Sequence, residues 1–171
     1  MRPVAFAATA SVITIADLVT KAVVLGALGF SETRFVLGRW LALSPTVNTG
    51  GAFSLLQTRN WVFIVVASVA IIALSYAYSR LDRRDTWTSA ALALALGGAI
   101  GNLYDRVRFG YVRDFLDLRS NGGANNIWPI FNIADSAITC GIVILMIRFM
   151  LGSRARPDGV ASGPHDPAGP T

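Results

Sequence analysis

Two aspartates in the second half of the chain, Asp114 and Asp135, are the residues best suited to carry out chemistry. Asp114 has apolar neighbours, and Asp135 lies inside an apolar run, where an ionisable side chain is costly and points to a function. Two close carboxyls do not readily ionise together, so one keeps a proton while the other is charged. The charged one can take a proton from water, and the neutral one can protonate a carbonyl oxygen or a leaving amine. The pair therefore predicts peptide hydrolysis without a metal.

Two further groups of polar residues fall at spacings of three and four, which places each group on one helix face. The last apolar run carries Asn132, Asp135, Ser136 and Thr139, and the run before it ends with Asn102, Asp105 and Arg106. Interhelical hydrogen bonding is the simplest role for Ser136 and Thr139. For the second group, a structural cluster of ion pairs and a direct role in binding are both retained.

Three other features have structural interpretations. Gly97 and Gly101 predict a small-residue face where another helix approaches closely. Asp17 and Lys21, four residues apart, predict an ion pair within the first apolar run. Asp117 is interpreted as an ordinary loop acid.

The residue inventory excludes most other hydrolytic chemistry. The one histidine, His165, lies in a Gly/Pro-rich tail, so neither a zinc helix nor a serine–histidine pair is available. A serine–lysine dyad would need Lys21, which already has an acidic partner. The one cysteine, Cys140, is interpreted as a small buried packing residue. We expect no metal and no cofactor.

The elements that must position these residues are membrane helices. The chain is 53% hydrophobic and only 15% charged, with a mean hydropathy of +0.52. Four runs approach the length of about 20 residues that a bilayer requires, namely 3–28, 61–78, 86–104 and 127–147. A cleaved signal peptide is the alternative for the first run. The net charge of +5 comes from arginine clusters between the runs, which does not favour nucleic acid as a partner.

The segments between the runs predict a small platform outside the membrane. Strands are expected over Thr33–Leu37 and Ala52–Leu56 within a β-cradle of residues 30–58, with a turn at Ser44-Pro45. Residues 1–151 form one membrane domain, and residues 152–171 form a disordered tail. Four spans place both termini on one side. Seven arginines fall on each side, so the count of positive charges does not orient the chain.

Five ordered motifs resemble those of the lipoprotein signal peptidase family, also called signal peptidase II, and cover residues 15 to 145. They are Asp17-x-x-x-Lys21, the stretch from Asn48 to Ser54, the stretch from Gly97 to Arg106, the stretch from Gly110 to Phe115, and the stretch from Trp128 to Asp135. Any one of them alone is a weak signal, whereas five in order are specific. Arg113 departs from the family pattern, which more often has an apolar residue there.

The resemblance implies four transmembrane helices with cytoplasmic termini in a bacterial cytoplasmic membrane. A small extracytoplasmic β-cradle and a short amphipathic helix would lie on the outer face. It implies that Asp114 and Asp135 form the catalytic dyad. The residues implied to hold or surround the site are Asn48, Gly98, Asn102, Asp105, Arg106, Asn132 and Ala134. The implied substrate is a prolipoprotein cut just before its diacylglyceryl-modified cysteine, and the implied inhibitor is globomycin.

Three other functions are retained at this point. A presenilin-type protease is disfavoured because its Gly-x-Gly-Asp motif is absent and four spans are too few. A proton-coupled carrier would use the same two aspartates to relay protons. A membrane scaffold without catalysis would leave the paired aspartates unexplained.

Overall fold

The computed structural model describes residues 1–30, 32–50, 59–120 and 124–153. In chain order its elements are α1 (Pro3–Leu28), β1 (Arg34–Leu37), β2 (Leu41–Asn48), α2 (Asn60–Arg80), α3 (Thr86–Phe109), β3 (Val112–Ser120), β4 (Asn125–Asn126) and α4 (Ile133–Ser153). The protein is mostly helical and carries a small antiparallel sheet. Within the described residues, three helices are long and apolar enough to cross a membrane: α1, α2 and the Ile133–Leu151 part of α4.

Helix α3 lies at the centre and packs against α1, α2 and α4. It is rich in alanine and glycine, which lets neighbouring backbones come close. A Cβ on Gly98 would lie 2.4 Å from the carbonyl oxygen of Ala134, and one on Gly97 would lie 2.5 Å from that of Ala10. A Cβ on Gly101 would lie 2.6 Å from Asp17. The small-residue face predicted from Gly97 and Gly101 is therefore confirmed.

Local signals set the ends of α3. The Asp85 side chain accepts a hydrogen bond from the backbone N–H of Thr88 at 3.0 Å and so caps the first turn. At the other end Gly110 has φ +86°, the left-handed conformation that ends many helices. The helix consequently runs to Phe109, five residues beyond the predicted end at Tyr104.

Helix α4 begins at Ile133, so the prediction of a helical run from residue 127 is wrong at its start. Pro129 disfavours helical geometry at the residue before it. Phe131 instead bridges to Leu116 of β3, and its backbone N–H donates to the Leu116 carbonyl at 3.0 Å. This bridge brings the start of α4 against the sheet.

The sheet has the order β1-β2-β3-β4, and every pairing is antiparallel. The prediction that the cradle comes from residues 30–58 was incomplete, because β3 and β4 follow α3. The turn predicted at Ser44-Pro45 is also wrong, since β2 continues through it with an irregularity between Leu43 and Thr46. Proline has no N–H for the ladder, and a bulge accommodates that loss.

Other predictions concern residues at the edge of the described part of the chain. The strand predicted over Ala52–Leu56 and residues 154–171 of the predicted tail, including His165, lie outside the described residues. The two residues before them, 152 and 153, belong to α4 rather than to a tail. No short amphipathic helix occurs among residues 1–30, 32–50, 59–120 and 124–153.

Two single-residue interpretations are corrected by burial. Cys140 is exposed on the surface of α4 and is not a buried packing residue. Asp117 is fully buried, not a solvated loop acid. Its carboxylate accepts hydrogen bonds from Ser44 at 2.8 Å and from Arg119 at 2.7 Å, so it ties β3 to β2.

Candidate active site

Asp135 lies in the first turn of α4 and forms a reciprocal cap with Asn132. The backbone N–H of Asp135 donates to Asn132 Oδ1 at 2.8 Å, and the backbone N–H of Asn132 donates to Asp135 Oδ2 at 3.3 Å. This is the capping-box arrangement, with Asn132 as cap and Asp135 three residues on. The helix N-terminus favours negative charge at this position.

Asp114 lies in β3 opposite Thr46 of β2, with only 1% of its surface exposed. Its carboxylate accepts a hydrogen bond from Asn132 Nδ2 at 2.6 Å and one from Asn48 Nδ2 at 2.9 Å. Burial, and then the nearby charge of Asp135, raise the pKa of Asp114 to about 6. Asn132 thus contacts both aspartates, which brings the two predicted catalytic residues together.

Three asparagines present their amide groups to these carboxylates, and each is oriented by a group that can only donate. The Oδ1 atom of Asn48 accepts from the Gly50 N–H at 2.9 Å, just as Asn132 Oδ1 accepts from a backbone N–H. The Oδ1 atom of Asn102 accepts from the Lys21 ammonium at 3.0 Å, and its Nδ2 donates to Asp135 Oδ1 at 2.7 Å. Because each carbonyl oxygen is occupied, each NH₂ group must face the acids.

Lys21 is fully buried at the centre of a charged network behind the two aspartates. Its ammonium lies 2.7 Å from Asp17 Oδ2, which confirms the predicted ion pair, and 3.2 Å from Asp105 Oδ2. Asp17 also accepts the backbone N–H of Ala134 at 3.0 Å. The network therefore joins α1 to α3 and to the start of α4.

Asp105 fixes the beginning of β3 through Arg113. The backbone N–H of Arg113 donates to Asp105 Oδ2 at 3.0 Å, and its guanidinium lies 2.7 Å from Asp105 Oδ1. The same guanidinium lies over the Phe109 ring, 4.4 Å from its centroid. Since Arg113 directly precedes Asp114, these contacts also hold the aspartate in place.

Arg106 approaches the site from the other side of α3. Its guanidinium lies over the Phe63 ring of α2 at 4.4 Å, and it is close enough to interact with the charges of Asp114 and Asp135. Its Nη1 atom is buried and has no hydrogen-bond partner among the described residues.

Two apolar grooves reach the site from the helix surfaces. The larger, of about 490 Å³, lies between α2 and the α3–α4 pair and ends at Asn102 and Arg106. The smaller, of about 270 Å³, runs along α4 from Asp135 and is also lined by Trp128 and Phe131. Apolar ligand segments can therefore approach from the lipid side.

The structure sorts the predicted site residues into three groups. Five of them contact or adjoin the aspartate pair directly or through one partner: Asn48, Asn102, Asp105, Arg106 and Asn132. Gly98 and Ala134 instead form the close contact between α3 and α4. Ser136 bonds the Asn132 carbonyl at 3.0 Å, while Thr139 is exposed in the smaller groove.

Sequence reasoning missed one member of the site, because Lys21 was paired with Asp17 alone and its contact with Asn102 was not foreseen. Within the described residues, no group of three or more His, Cys, Asp or Glu side chains is arranged to hold a metal ion.

A mostly helical membrane protein in which a buried strand aspartate and an aspartate in the first turn of a helix both contact one asparagine belongs, by its architecture, with integral membrane enzymes. A solved bacterial membrane enzyme, determined by the in meso method at 2.3 Å, matches 91% of this chain and 93% of its own, with a TM-score of 0.82 and 28% identity. A second such structure, at 1.9 Å, matches 86% of this chain and 94% of its own, with a TM-score of 0.79 and 29% identity.

Sequence comparison gives the particular family. Residues 9–151 match the family described as signal peptidase (SPase) II. The lipoprotein signal peptidase of Moorella thermoacetica is 44% identical over 71% of this chain and 76% of its own length. That of Pseudomonas putida is 39% identical over 86% of this chain and 87% of its own length. The chain belongs to the signal peptidase II family, and is thus a bacterial membrane protease that processes lipoproteins.

Proposed function

We propose that this protease is an aspartyl endopeptidase in which Asp114 and Asp135 form the catalytic dyad. The observation that carries the proposal is the convergence of three oriented amides, from Asn48, Asn102 and Asn132, on these two carboxylates. Such donors stabilise negative charge where burial would otherwise remove it. They also hold both carboxyls in fixed positions, as proton transfer to a substrate requires.

In the proposed mechanism the dyad holds one proton. The charged carboxylate takes a proton from a water molecule as that water attacks the scissile carbonyl carbon. The protonated carboxyl donates its proton to the carbonyl oxygen, and the amine leaves after protonation in the collapse step. The raised pKa of Asp114 is in keeping with a carboxyl that takes up a proton easily. Titration belongs to the pair rather than to either residue.

The surrounding charges support a dyad with one negative charge. Among the described residues, the cations near the dyad are Lys21, Arg106 and Arg113, and the other carboxylates are Asp17 and Asp105. One net positive charge therefore faces the dyad, and a singly protonated pair balances it. A dyad with two charges would leave an uncompensated buried charge, which is costly.

The proposed substrate is a prolipoprotein carrying diacylglyceryl on its cysteine, cut just before that cysteine. Such a substrate has two apolar parts, the signal peptide and the acyl chains. Of the two apolar grooves, one is lined by Asp135 and the other ends at Asn102 and Arg106. The Arg106 Nη1 atom, which has no hydrogen-bond partner within the part of the chain that the structure describes, would donate to a peptide carbonyl of the bound chain. We further propose that globomycin binds in the same cleft and competes with the substrate.

We propose that α3 is the fourth span, within a membrane domain of residues 1–151. Helix α3 is buried at the centre and presents little surface to lipid. Small residues that let the neighbouring helices pack closely are therefore more important in it than large apolar side chains. The sheet and the aspartate pair would then lie at the extracytoplasmic face, with both termini and residues 152–171 in the cytoplasm. Cysteine accessibility mapping from each side of the membrane tests this orientation.

The activity is tested by incubating purified protein with a diacylglyceryl-modified prolipoprotein and with its unmodified form. Mass spectrometry locates the cut. The variants Asp114→Asn and Asp135→Asn are compared with Asp117→Asn, which makes the same change in a buried aspartate of the same strand as Asp114. We expect cleavage before the lipidated cysteine by the wild type and by the control, and near-complete loss in both dyad variants.

The outcomes separate the alternatives. Near-wild-type cleavage by either dyad variant would show that the dyad is misassigned. Equal cleavage of the unmodified substrate would remove the lipid requirement. Proton transport without cleavage would instead favour the carrier, for which the protease relatives give no support.

A further inference from the structure

The buried ammonium of Lys21 is close to the proposed dyad and has no part in the proposed mechanism. None of its surface is exposed, and its nearest acids are Asp17 and Asp105. An ion pair between Lys21 and Asp17 would suffice to make both tolerable inside the membrane. The Lys21 side chain nevertheless extends to a further partner, Asn102 on α3.

The contact with Asn102 determines which way that amide faces. An asparagine amide has nearly the same shape in both orientations, and hydrogen bonding decides between them. An ammonium can only donate, so the atom 3.0 Å from Lys21 Nζ must be the carbonyl oxygen. The NH₂ group then points the other way and donates to Asp135 at 2.7 Å. In the opposite orientation, a carbonyl oxygen would face a carboxylate.

A second donor, the amide of Asn132, supports the same orientation of Asn102 more weakly. Asn132 Nδ2 lies 3.2 Å from Asn102 Oδ1, but it also donates to Asp114 at 2.6 Å. A neutral amide divided between two acceptors is a weaker anchor than a charged donor. Loss of the ammonium would therefore leave Asn102 loosely held without freeing it completely.

We infer that Lys21 is a positioning residue for catalysis, which acts through Asn102 to hold the carboxylate of Asp135 in place. Lys21 itself touches no substrate in this arrangement, because it is fully enclosed by protein. The inference rests on the proposed function, since it assumes that Asp135 takes part in the reaction. It predicts an effect on kcat and little effect on KM.

The single substitution Lys21→Met would remove the ammonium from between Asp17 and Asp105 and leave the Asp17 charge buried without its ion-pair partner, and unfolding is then a risk. The double variant Asp17→Asn/Lys21→Met removes one charge of each sign, and Asp105 keeps Arg113 as its partner. Comparison of the double variant with Asp17→Asn alone isolates the effect of removing the Lys21 ammonium. The matched control is Asp85→Asn/Arg148→Met, which removes a partly exposed ion pair elsewhere on the protein.

The measurement is kcat and KM for the lipidated substrate, with thermal unfolding recorded for every variant. Relative to Asp17→Asn, the added Lys21→Met should lower kcat at least about tenfold, the scale of one hydrogen bond to a charged group. KM should stay within about twofold, and the control should retain wild-type kinetics. In a protein that already carries Asn102→Ala, adding Lys21→Met to Asp17→Asn should change kcat by less than about twofold, because the amide through which Lys21 acts is already absent.

Wild-type kcat in the folded double variant would overturn the inference, as would a rise in KM with kcat unchanged. An undiminished loss in the Asn102→Ala background would show that Lys21 does not act through Asn102. Failure of the wild type to cut in the same assay would count against the proposed function itself, and is thus distinguished from failure of this inference.

Discussion

Replacing Asp114 with asparagine should abolish cleavage and at the same time raise the stability of the fold at neutral pH relative to its effect at low pH. Asp114 is 1% exposed, and burial with the nearby charge of Asp135 raises its pKa from the usual 3.8 to about 6. The folded protein therefore binds a proton more tightly than the unfolded chain does. Stability falls as pH rises from about 4 to about 6 and then levels off.

A pKa change from 3.8 to about 6 corresponds to at most about 3 kcal/mol at pH above 6. Asparagine is close in size and carries no charge, so the variant removes this pH-dependent cost, while its own NH₂ group faces the amide of Asn48 or Asn132 and adds a cost that does not depend on pH. The gain should appear at pH 7.5 and disappear below about pH 3, where the wild-type carboxyl is protonated in both states. Tryptophan fluorescence during thermal unfolding at the two pH values measures it.

Asp105→Asn is the matched comparison, and it should act in the opposite direction. The Asp105 carboxylate is also fully buried, but it faces Lys21 at 3.2 Å and Arg113 at 2.7 Å. Its loss takes the ion-pair partner from Arg113 and leaves Lys21 with Asp17 alone, and should cost about 3–5 kcal/mol. The reasoning from burial would be refuted if the stability of Asp114→Asn relative to the wild type did not rise between pH 3 and pH 7.5.

Three further predictions concern the helices. Asn132→Ser should keep an acceptor for the helix cap, so the free energy of unfolding should stay within about 1 kcal/mol of the wild-type value. It loses the amide that donates to Asp114, so kcat should fall while the thermal unfolding temperature does not change. A parallel loss of kcat and of stability would contradict this prediction. Gly98→Ala should destabilise the protein by about 1–3 kcal/mol, because its Cβ would meet Ala134, whereas Gly26→Ala, with nothing within 4 Å, should be tolerated in thermal unfolding. Asp85→Ala should lower stability by about 1 kcal/mol through loss of the α3 cap, with cleavage unchanged; reduced cleavage at an unchanged melting point would disprove that role.

The sequence by itself determined the class of the protein and the residues to examine. Lipid excludes charge, so Asp17, Lys21, Asp105 and Asp135 stand out against apolar runs without any knowledge of the fold. Asp85 lies next to the predicted run 86–104 and marks the start of α3, whereas the end of α3 at Gly110 lies beyond the predicted run. The family resemblance rested on the same short stretches.

Only the tertiary structure decided how these residues meet. The pairing of β2 with β3 joins segments about 70 residues apart, and no local pattern specifies it. That pairing buried Asp117, which the sequence presented as a loop acid, and brought Asn48 to Asp114. Because Phe131 bridges to Leu116, α4 begins at Ile133 rather than at residue 127, and Asp135 lies in its first turn.

The orientation of the asparagine amides is also decided only by the tertiary structure. An asparagine in a sequence has no preferred face, and its role depends on which donor occupies its carbonyl oxygen. For Asn102 that donor is Lys21, which lies 81 positions earlier on another helix. Composition and spacing thus identify polar residues that lipid should exclude, whereas the direction of each hydrogen bond follows from contacts that exist only after α1, α3, α4 and the sheet have packed together.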